Sequence, residues 1–118
     1  MPIATDLRAE RPPLLGPVHR LASAAAAELG PAGSPSFDEL VELAAHLSDG
    51  LHVAGSDPRM TRARALRLLD LRDRLDSHVL AALAFRDAGG ERGADRLVRR
   101  GFGDVLPELL GAVDADLG

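Results

Sequence analysis

The chain has 118 residues and a formal net charge of −4, long enough for one domain with a core and too acidic for a general nucleic-acid coat. It has no cysteine, which excludes disulfides, thiolate metal sites and cysteine nucleophiles, and its only aromatics are three Phe, too few for a base-stacking platform. All fourteen basic residues are Arg, a choice that fits a GC-rich coding sequence and is not read as a functional preference for guanidinium.

Residues 1–16 mix Pro, Arg and acids without a period, the pattern of an N-terminal arm that is extended or disordered alone. Asp6 and Glu10 stand where a signal peptide needs basic residues, and Pro12, Pro13 and Pro17 interrupt any apolar core. No apolar run reaches membrane-spanning length, so the expected location is cytoplasmic.

A single helical domain is expected over 17–118. Pro17 suits a first helical turn, and Val18, Leu21, Ala22, Ala25 and Leu29 make one stripe that ends before Gly30 and Pro31. Ser36 and Glu39 have the spacing of a capping box and open a second helix, with Phe37, Leu40, Val41, Ala44 and Leu47 inward and Gly50 as its stop. Residues 50–57 then read as a connector.

The stretch 58–87 has no internal Gly or Pro beyond its first residue, so as one helix capped by Ser56 or Asp57 it would span about 45 Å. Met60, Leu68, Leu71, Leu75, Val79, Ala82 and Phe85 form its main apolar stripe, and Leu66, Leu69, Leu80 and Ala84 a second wedge well round from it. Ion pairs Asp70–Arg74 and Arg72–Asp76 are expected on its outer side. Gly89 and Gly90 end it. A short helix over 94–100, a break at Gly101, Phe102 and Gly103, and a last helix capped by Asp104 complete the chain, with Val105, Leu106, Leu109, Leu110, Val113 and Leu117 inward.

Two arginine clusters stand out. Arg59, Arg62, Arg64 and Arg67 crowd the start of the long helix, where the macrodipole favours anions, so a phosphate, an acidic partner or the chain's own Asp114 and Asp116 would suit them. Arg92, Arg96, Arg99 and Arg100 form the second, beside a Gly-x-Gly that lacks the preceding strand of a dinucleotide site. Asp38, Glu42 and His46 share a helical stripe without a di-iron or zinc-protease spacing, and no nucleophile elbow is present, so no catalytic residue, metal or cofactor is expected. His78 lies on the apolar stripe of the long helix and reads as a core or interface residue.

The segment 68–102, LLDLRDRLDSHVLAALAFRDAGGERGADRLVRRGF, resembles in composition the helical domains that accompany HNH nucleases. The tryptophan expected after its glycine loop and every nuclease motif are missing, so the resemblance assigns no family. The expected fold is an all-α bundle of four to five helices organised around the long central helix 58–87. The expected function is a non-catalytic protein–protein interaction or assembly module that forms a homodimer or docks another protein. Leu66, Leu69, Leu80, Leu109 and Leu110 are its contact, and Arg59, Arg62, Arg64, Arg67, Arg96, Arg99 and Arg100 its anion or partner contacts. Two alternatives are a nucleic-acid-associated regulator with both arginine patches on one surface, and a small-ligand or catalytic domain with His46, His78 and Glu42 in one pocket.

Overall fold

In a computed structural model, residues 15–30, 33 and 35–117 are described, with side chains as far as residue 112. Among them the chain forms four α-helices and no strand: α1 (Gly16–Glu28), α2 (Phe37–Gly55), α3 (Arg62–Asp87) and α4 (Glu91–Leu117). Residues 1–14 of the expected arm lie outside the described residues. Leu15 is fully buried, and Gly16 already belongs to α1.

α1 follows its apolar spacing, with Val18, Ala22 and Ala25 buried and Pro17 in its first turn. α2 opens on the expected capping box: the Glu39 amide donates to Ser36 Oγ at 3.2 Å, and the Ser36 amide to Glu39 Oε1 at 3.4 Å. Gly50 does not end α2. The helix runs on to Gly55 because Leu51 and Ala54 continue the buried stripe. Gly50 instead lets α1 come close, since a Cβ there would meet Leu21 Cδ1 at 2.8 Å.

α3 starts later than expected, at Arg62, with Thr61 as cap accepting from the Arg64 amide at 3.4 Å. The reason lies in Asp57, whose carboxylate accepts from the Arg59 amide at 2.8 Å and closes a turn before the helix. Met60 is buried from that turn. Leu68, Leu71, Leu75 and Ala82 fill the core side of α3, whereas Phe85 at the end of the expected stripe is 53 % exposed.

The expected break at 101–103 is absent: α4 is one helix through Gly101, Phe102, Gly103 and Pro107. Tertiary packing overrides these local breakers. Phe102, Val105 and Leu109 are fully buried, and Gly101 takes the close crossing with α3, where a Cβ would lie 2.7 Å from His78 Cβ. Pro107 removes one helical hydrogen bond, to the Gly103 carbonyl, and both residues are exposed, so water can serve that oxygen.

α3 and α4 make the most extensive helix–helix contact and run antiparallel across the turn 88–90, where Gly89 adopts φ +90°. α2 lies antiparallel on α3, with Asp38 by Arg86, His52 by Arg72 and Gly55 by Leu69 in reverse order. α1 packs on α2 and α4 and makes no contact with α3, so α2 and α4 each touch all three other helices. No helix of the described residues is long and apolar enough to cross a membrane.

Candidate interaction surfaces

Among the described residues, four large apolar side chains stand out of this bundle: Val53, Leu66, Leu80 and Phe85. Leu66 and Leu80 are two heptads apart, which places them within about 40° of each other on α3. They are 57 % and 67 % exposed, with exposed Ala84 one turn beyond Leu80. Carboxylates interrupt this face. Asp70 pairs with Arg74 at 3.3 Å, as expected, while Arg72 turns from Asp76 to Asp73 at 2.9 Å and donates to His52 Nδ1 at 2.6 Å.

The other expected contact leucines lie elsewhere. Leu109 is fully buried in the monomer core and presents no side chain to a partner, a correction that follows from the uninterrupted α4. Leu69 is half-buried over Gly55 of α2, and Leu110 is partly buried beside α1.

The first arginine cluster is not a single patch. Arg59 lies before α3 and forks onto Asp57, with Nε–Oδ1 3.1 Å and Nη2–Oδ2 2.8 Å. These hydrogen bonds lower the Asp57 pKa to about 2 and raise that of Arg59. Arg62 and Arg67 are exposed on the first turns of α3 and make no ion pair among the described residues. The side chains of Asp114 and Asp116, the acids expected nearby, lie outside the described residues. Arg99 is held by Asp95 at 2.8 Å and reaches the Pro35 carbonyl at 3.5 Å, while Arg92, Arg96 and Arg100 are exposed with no ion pair among the described residues. Because α3 and α4 are antiparallel, the two clusters sit toward opposite ends of the pair, roughly 20–35 Å apart along its axis. They do not form the one surface that a nucleic-acid reading expects.

The most heavily engaged arginine is one the sequence placed in a simple helical pair. Arg74 reaches Asp70, Asp104 at 3.6 Å and Glu108, bridging α3 to α4. Its hydrogen bond with Glu108 does most to raise the Arg74 pKa, with the charges of Glu108, Asp104 and Asp70 adding to it. Arg86 plays the same part between α3 and α2, pairing with Asp38 at 3.1 Å and lying 5.1 Å from the centre of the Phe37 ring.

The residues offered for a pocket do not converge. Glu42 and His46 line a hollow of about 220 Å³ with Glu28 of α1, whereas His78 sits on the far seam against Gly101. Asp38 of the acidic stripe is taken by Arg86, and among the described residues no three His, Asp or Glu side chains are grouped to hold a metal ion.

A larger feature escaped sequence reasoning. Ala26 and Leu29 at the end of α1 face Phe102, Leu106 and Leu110 of α4 across an open apolar groove of about 580 Å³, with Arg99 at one end and Gly103 and Pro107 along its rim. Its signal lay in the spacing of 92–110, hidden as long as α4 was read as two helices. Comparison of the chain with protein-family models, curated proteins and solved structures gives no match.

Proposed function

We propose that this chain is a non-catalytic helical interaction module that self-associates through the outer face of α3. The observation that carries this reading is the exposure of Leu66 and Leu80 on the side of α3 turned away from the core. Burying a leucine side chain contributes about 1.5–3 kcal/mol; Arg67 would stand at the edge of this face, while Asp70 and Asp73 between the two leucines interrupt it.

Size sets the strength of this contact. A face about 39 Å long and about 10 Å wide offers roughly 400 Å² per protomer, half of what a stable interface buries on each side. Self-association is therefore weak and concentration-dependent. Light scattering across protein concentration should show a mass that rises toward the dimer and persists at high salt, and Leu80→Arg should hold the chain at monomer mass. A monomer at every concentration would overturn the self-association.

A further inference from the structure

On α4, Arg92, Arg96, Arg99, Gly103, Leu106 and Leu110 follow in alternating steps of four and three residues, one helical stripe about 27 Å long. Its N-terminal third is cationic and its C-terminal part is apolar, opening into the groove against Ala26 and Leu29. Arg92 and Arg96 lack an ion-pair partner among the described residues, and Arg99 at the groove's end pairs through Nε with Asp95 at 2.8 Å. We propose that this stripe docks an amphipathic helix of a partner protein, whose leucines fill the groove and whose carboxylates, one turn apart, meet the arginine row.

Charge arrangement selects this occupant. An acyl chain ends in a single anionic head, which would use one arginine; three guanidinium groups spread over about 10 Å match a row of carboxylates along a helix. At Gly103 the groove wall is bare backbone, and nothing lies within 4 Å of where a Cβ would be, so the partner helix can approach closely. This surface lies on α4 and α1, and it does not depend on self-association through α3.

The test uses the full chain and a labelled synthetic helical peptide of about 18 residues, with glutamates on one half of its apolar stripe and leucines on the other. A control peptide carries lysine in place of each glutamate. Fluorescence anisotropy should show the acidic peptide binding, the lysine peptide binding at least about tenfold more weakly, and affinity falling as salt rises. Arg92→Glu with Arg96→Glu should cost about tenfold or more. Gly103→Glu, placed in open space on a helix, should abolish binding with helical content unchanged by circular dichroism, while Leu80→Arg should leave binding as it is. Binding of neither peptide, equal binding of both, or unchanged binding by Gly103→Glu would overturn the proposal. So would a dimer lost in Gly103→Glu, which would make a second copy the occupant, or Gly103-dependent binding to phosphatidylglycerol vesicles in place of the peptide.

Discussion

At the scale of single residues, the arginines divide into those that tie the bundle together and those that face outward. Arg74, Arg86 and Arg72 each join two helices, whereas Arg92, Arg96 and Arg100 make no ion pair among the described residues. Asp57 offers the clearest pH test. Arg59 holds its pKa near 2 against an ordinary 3.8, so the stabilisation from this pair is complete above about pH 4 and is lost as pH falls through about 2. Carboxyl-carbon NMR shifts should place the Asp57 midpoint near 2, and Arg59→Gln should move it up toward the ordinary value. Arg74→Gln would leave Asp70, Asp104 and Glu108 grouped without their shared cation. It should lower the thermal midpoint, with part of the loss recovered as salt screens the three carboxylates.

At the scale of elements, helices with coincident local and tertiary signals were legible. α1 and the start of α2 agree with the sequence within a residue, because Pro17 and the Ser36–Glu39 box act through their own backbone. The start of α3 moved because of the local Asp57 turn, whereas the misread boundaries at Gly50 and at 101–103 involve glycines whose local preference lost to packing. Gly50 and Gly101 sit inside helices because a neighbouring helix needs the space, and no single-chain pattern distinguishes that role from a stop. The contrast within α4 can be measured by urea unfolding. Gly101→Ala should destabilise by about 1–3 kcal/mol, since its Cβ and that of His78 would lie 2.7 Å apart and both are fixed to backbone. Gly103→Ala, into open space, should instead stabilise by about 0.5–1 kcal/mol. Phe102→Ala, at the middle of the stretch read as a break, should cost about 3–5 kcal/mol because its side chain is fully buried.

At the scale of the whole molecule, α2 and α4 are the helices that touch every other, and the long pair α3–α4 sets which side chains reach the surface. That pairing separates the two arginine clusters, takes Leu109 into the core and leaves Leu66 and Leu80 outside. The packing of α1 against α4 creates the apolar groove. The sequence by itself determined an all-α chain, the amphipathic stripes of its helices and the capping box. These follow from periodicity and from interactions within a few residues along the chain. Only the tertiary structure decided that 91–117 is one helix, that Arg74 serves three carboxylates, and that Glu42 and His78 lie on different seams. Those outcomes depend on contacts between residues far apart in sequence, whose packing energy exceeds the local preference of a glycine or a proline.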